Sequence, residues 1–113
     1  MSKKRMPPEV AEAVIERADY ACELMKPGVC TGRGEQIHHR KLRKHGGEHS
    51  LDNCVLLCRA CHHEWVHAHP AWSYEAGWLV KSNDVPVWPP RYYRGVWSRK
   101  EEDNGDDQAR ASA

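Results

Sequence analysis

The sequence predicts a small α+β domain stapled by zinc, and three observations carry that expectation. Segments of helical and strand character follow one another as helix, turn, strand, loop, strand, helix. Four of the five cysteines fall into two pairs. The chain of 113 residues has no Phe and a mean hydropathy of −0.83, too little apolar material to be held together firmly by burial alone. The start, MSKKRMPPEV, has no apolar stretch resembling a signal peptide, and no run reaches membrane-spanning length, so a cytoplasmic location and no membrane partner are expected. Thiols stay reduced in the cytosol, which favours metal over disulfide.

The elements follow in chain order. Pro7 and Pro8 precede Val10, Val14 and Ala18, flanked by Ala11 and Ile15, an apolar stripe beside Glu9, Glu12, Glu16 and Arg17. A helix ending near Tyr20 is expected. CELMKPGVCTGRG carries Pro27, Gly28, Gly32 and Gly34, which predicts a turn. Glu35 to His39 reads as a short strand, RKLRKHGGEHSLDN as a polar loop, and CVLLC as a buried strand. Ala60 to Ala68 reads as a helix that His69-Pro70 terminates, and GWLVK as a strand or extended segment. The tryptophans beyond Pro70 are read as cover for a small core rather than as a stacking platform for bases. The expected organisation is a flexible N-terminus at 1–8, one folded domain over 9–80, a Trp/Pro-rich, mostly irregular extension over 81–99 and an acidic disordered tail over 100–113.

Cys22-x7-Cys30 and Cys58-x2-Cys61 are candidate ligand pairs, the second with the spacing of a zinc knuckle that opens a helix. Four thiolates would close a tetrahedral structural zinc site, a contribution of about 10 to 16 kcal/mol to folding. Cys54, inside the apolar strand, reads as a buried small hydrophobe and belongs to neither site.

Net charge is +1, but residues 1–99 carry 15 Lys and Arg against 11 Asp and Glu, and residues 100–113 carry 2 against 5. Within the basic body Arg33, Arg40, Lys41, Arg43 and Lys44 surround a double histidine, where a phosphate-facing surface would put them; the plain alternative is a solvated charged loop.

His38-His39 closes one strand, Asn53 lies fourteen positions after His39 at the start of the next, and His62 follows Asn53 by nine, directly after the last paired cysteine. With the Gly46-Gly47 pair and the bracketing cysteines, this resembles the zinc-containing, bacteriophage and bacterial branch of the HNH endonuclease family. The resemblance implies a ββα-metal fold, also called a His-Me finger and treble-clef-like, and metal-dependent hydrolysis of DNA to 5′-phosphate and 3′-hydroxyl ends with low sequence specificity. It also implies the roles. His38 would hold a catalytic divalent cation (Mg2+, Mn2+, Ni2+ or Zn2+), His39 would be the general base, Asn53 would orient it, and His62 would be a second metal ligand. The residue types suit the chemistry, because a histidine titrates near neutral pH and a cation stabilises charge on the phosphate in flight.

One departure leaves the helical side open. His62 and His67 are five positions apart, whereas His63 and His67 are four apart. Either His62 binds with His67 aside, or a π-bulge brings His62 and His67 together, or His63 and His67 form the pair. The spacing from Asn53 favours His62, with His67 as a third ligand. His63 and His69 otherwise read as solvated or helix-capping, and His45 and His49 as surface loop residues. Arg40, Lys41, Arg43 and Lys44 are expected to contact backbone phosphates. The partner is DNA, with phage packaging proteins such as terminase as a further partner class. The competing reading is a non-catalytic zinc-finger DNA-binding module, which explains the cysteines and basic loop but leaves the histidine pattern as coincidence. A zinc-stapled interaction module is a third.

Overall fold

The computed structural model describes residues 5–98; residues 1–4 and 99–113 lie outside it, and with them the acidic tail expected over 100–113 and half of the flexible start expected over 1–8. Helix α1 spans Pro8–Ala18, with Pro8 in its first turn, where the missing N–H would have no intrahelical partner anyway. It ends at Asp19, in the left-handed region at φ 56°, and the Tyr20 N–H donates back to the Ile15 carbonyl at 3.1 Å. Val14 and Ala18 are fully buried, as the apolar stripe predicts.

Between Ala21 and Arg33 the chain doubles back through a single antiparallel bridge, supported by Cys22 N–H to Gly32 carbonyl at 3.2 Å. Strands β1 (Gln36–His39) and β2 (Cys54–Leu57) then pair antiparallel, with Gln36 opposite Leu57 and His39 opposite Cys54. All four residues of β2 are buried, which explains its uninterrupted apolar sequence: both faces are covered. Cys54 and Leu56 meet Val14 and Ala18 of α1, while Val55 and Leu57 join the larger cluster with Leu24, Val66, Trp78 and Tyr92. Ile37 and His39 share the α1 face; Gln36 and His38 share the other.

The connection from β1 to β2 contains one 3-10 turn, Arg43–His45, closed by Gly46 at φ 91°. At Gly47 the backbone runs against the Lys41 carbonyl so closely that a Cβ could not fit. After Cys58 a π-helix covers Ala60–Val66, wide by one residue, with the His67 N–H donating to the His62 carbonyl at 3.2 Å. Helix α2, Pro70–Ala76, follows at once. The sequence read Pro70 only as a terminator, yet a proline that cannot continue one helix is well placed to open the next. Ser73 Oγ bonds the Val66 and His69 carbonyls at 2.8 and 2.9 Å and fixes the angle between the two.

GWLVK forms no strand. Gly77 caps α2 at φ 90°, and the segment lies beside the end of β1 through one backbone bond, Val80 N–H to Arg40 carbonyl at 2.9 Å. The extension closes with a short hairpin, β3 (Tyr92–Tyr93) against β4 (Val96–Trp97). It is tied in by Trp78, which is fully buried and donates its indole N–H to the Tyr92 carbonyl at 2.7 Å. The buried carboxylate of Glu23 is a second tie: Arg17 grips it with two bonds of 2.8 and 2.9 Å, Leu56 N–H donates to it at 2.9 Å, and Tyr93 hydroxyl at 2.5 Å. Among the described residues no helix is long and apolar enough to cross a membrane.

Candidate functional site

The turn at residues 22–34 and the opening of the π-helix bring Cys22, Cys30, Cys58 and Cys61 together, with their sulfurs within 4.8 Å of one another. A tetrahedron of Zn–S bonds about 2.3 Å long has edges of about 3.8 Å, and Cys58 and Cys30 stand at 4.0 Å. Backbone N–H groups of Gly32 and Cys61 approach the Cys30 and Cys58 sulfurs at 3.2 and 3.3 Å, and that of Thr31 reaches Cys58 at 3.5 Å. Such donors stabilise thiolate. The Cys22 thiol is drawn below its ordinary value by its bond from Cys61, against the opposing effect of burial. Four soft donors so arranged fit zinc. Cys54 stays apart, buried in the sheet with its thiol pushed up by desolvation.

On the same face of the sheet His38, His62 and His67 converge, each offering a ring nitrogen within 4.8 Å of the others. Their ring centroids form a near-regular triangle with sides of 5.0, 5.2 and 4.9 Å. His38 is 3 % exposed and its Nε2–H donates to the Trp78 carbonyl at 2.7 Å; His62 Nδ1–H donates to Gln36 Oε1 at 2.7 Å. Each bond fixes a tautomer and frees the opposite nitrogen, Nδ1 of His38 and Nε2 of His62, as a lone-pair donor. Burial holds His38 at about 3 and His62 at about 4, so both are neutral at physiological pH, as metal ligands must be. The π-helix is what brings His62 and His67 together. His63 is exposed, its ring 6.4 Å from that of His67, and takes no part in the triangle.

Comparison with protein families matches residues 27–64 to the HNH endonuclease. Residues 27–64 are thus similar to the HNH endonuclease family. No curated protein and no solved structure matches the chain. The matched HNH segment includes Cys30, His38, His39, Asn53, Cys58, Cys61 and His62, whereas Cys22, His67 and Trp78 lie outside it. The match supports a nuclease or DNA-binding role.

The remaining expected residues fall differently. His39, half-buried on the α1 face, has its Nε2 at 3.0 Å from His49 Nδ1, and burial followed by His49 and Arg43 lowers its pKa. Asn53, expected to orient His39 through its side-chain or backbone carbonyl, has both engaged elsewhere: Oδ1 accepts from Lys41 N–H at 2.6 Å, Nδ2 donates to the Lys41 and Glu48 carbonyls at 3.0 Å each, and the backbone carbonyl accepts from Arg40 N–H at 2.8 Å.

Arg40 corrects an expectation. Read as a phosphate contact, it is 2 % exposed, and its guanidinium donates to the carbonyls of Gly77, Asp52 and Val87 at 2.6, 2.6 and 3.1 Å. Three of its five N–H groups are engaged with the backbone and the side chain is buried, which withdraws it from a phosphate-facing surface. Arg43 and Lys44 are exposed and Lys41 is half-buried, with Lys41 Nζ donating to the Asp84 carbonyl at 3.0 Å and Arg43 donating to the Gly47 carbonyl at 2.5 Å.

Gln36, the Trp78 carbonyl and His49 were missed in the sequence. Gln36 carried a signal, since it lies two positions before His38 and so on the same strand face. The Trp78 carbonyl carried none, because a backbone atom forty positions away has no residue type to betray it. His49 was visible as a loop histidine, but loops give no period by which to aim a side chain.

Proposed function

We propose that this protein is a metal-dependent endonuclease that hydrolyses DNA phosphodiesters to 5′-phosphate and 3′-hydroxyl ends. The convergence of His38, His62 and His67 beside His39, with all but His67 inside the segment matching the HNH endonuclease, carries the reading. A divalent cation held by these imidazoles would act as a Lewis acid on the scissile phosphate. Three nitrogen donors with no carboxylate among them suit zinc or nickel better than magnesium, which prefers oxygen ligands.

The chain's own groups do the rest. The Trp78 carbonyl and Gln36 hold His38 and His62 in the tautomers that present a free nitrogen. His39, kept neutral by partial burial, takes the proton from the attacking water. Lys41, Arg43 and Lys44 bind flanking phosphates, which gives affinity without strong sequence preference. A packaging-protein partner such as terminase has no described feature behind it, and the proposal is confined to DNA. The non-catalytic DNA-binding alternative leaves the tautomer-fixed triangle without a purpose.

The test is plasmid nicking across a series of divalent metals. His39→Ala should cut at least about 100-fold more slowly, the usual worth of a general base, while keeping one tightly bound zinc per chain. Equal cutting by the variant removes the mechanism.

A further inference from the structure

We infer that His49 is the residue that positions the base: His39 Nε2–H donates to His49 Nδ1, which leaves His39 Nδ1 as the nitrogen that meets water. The inference rests on the reading of His39 as base, and four observations carry it. The two nitrogens stand 3.0 Å apart, with ring planes at 61° and centroids at 5.1 Å, an edge approach that suits an in-plane N–H···N bond. The residue expected in this role, Asn53, has its amide engaged by Lys41 and Glu48.

Those same bonds set His49 in place. Its neighbour Glu48 is held through its carbonyl by Asn53 Nδ2 at 3.0 Å, and its other neighbour Ser50 accepts from the Cys54 and Asn53 N–H groups at 2.9 and 3.1 Å. His49 is therefore anchored on both sides to the first residues of β2, and Cys54 is the cross-strand partner of His39. The tautomer follows from the chemistry of the role. If His49 donated instead, His39 Nε2 would be occupied as acceptor and Nδ1 would carry the proton, leaving no lone pair for water. Asn53 thus acts on the base at one remove, through the loop.

The test uses the zinc-loaded full chain. Nitrogen NMR of the wild type should show His39 as the Nε2–H tautomer, with a coupling across the bond to His49 Nδ1; a His39 protonated on Nδ1 overturns the inference. His49→Ala should lower kcat by about 10- to 100-fold, the usual effect of losing a ligand's or base's supporting partner, with KM unchanged. His49→Gln, which offers a carbonyl acceptor, should recover part of that loss. Variants cutting within twofold of wild type, while His39→Ala is inactive, would remove His49 and leave the base standing. A fully active His39→Ala would remove both.

Discussion

At the scale of single residues, the candidate centre is governed by hydrogen bonds that choose tautomers. His62 depends on Gln36, a neutral side chain whose only service to the triangle is one 2.7 Å bond. Gln36→Ala is expected to weaken binding of the second metal by about 10- to 100-fold without loss of the cysteine-bound zinc, as isothermal titration on the zinc-loaded chain would read. The titration of His39 belongs to the same scale. A histidine whose charged form is disfavoured by burial keeps its basic form to lower pH than the ordinary 6.5. Activity needs the unprotonated ring, so it is present above that pKa and lost as pH falls through it. The acid limb of kcat/KM for nicking should therefore have its midpoint below 6.5; a midpoint above 6.5 would contradict the proposed environment.

Among the elements, the π-helix is decisive. In a regular α-helix positions four apart share a face and positions five apart diverge by more than a hundred degrees, so His63 with His67 would be the natural pair. Widening the turn by one residue substitutes His62. His67→Ala should accordingly weaken the second metal by at least about tenfold, whereas His63→Ala should leave its affinity within twofold, measured by metal titration; the reverse order would restore the regular-helix pairing.

This element also marks how far the sequence could be read. The strands were legible because CVLL is buried on both faces and because QIHH alternates between them, and the cysteine pairs were legible because thiolate sites use short fixed spacings. The five-position spacing of His62 and His67 left three arrangements open, since local propensity does not distinguish a π-turn from a regular one. Arg40 misled for a related reason. A cation in a basic loop reads as solvent-facing, and only the tertiary path of residues 77–87, which adds two carbonyls to that of Asp52, draws it inward.

For the whole molecule, the cysteine cluster sits at the junction of the turn, β2 and the π-helix, so its metal would hold together elements that share a modest core. Structural zinc contributes about 10 to 16 kcal/mol in small domains, as much as the entire stability of a typical one. Cys58→Ser, or zinc stripped by a chelator, should abolish the cooperative thermal transition, seen by circular dichroism. A metal-free chain that melts cooperatively would show the core to be self-sufficient.

The buried guanidinium of Arg40 carries a consequence for modularity. It is fastened to Gly77 and Val87, and Leu56 N–H to the Glu23 carboxylate, so residues that lie beyond the matched segment satisfy polar groups at its heart. Excised as residues 27–64, that segment would expose an orphaned cation and lose one cysteine of the zinc set. The motif is therefore portable as chemistry but not as a cassette: any transplant into another protein must bring along a chaperoning stretch from both flanks.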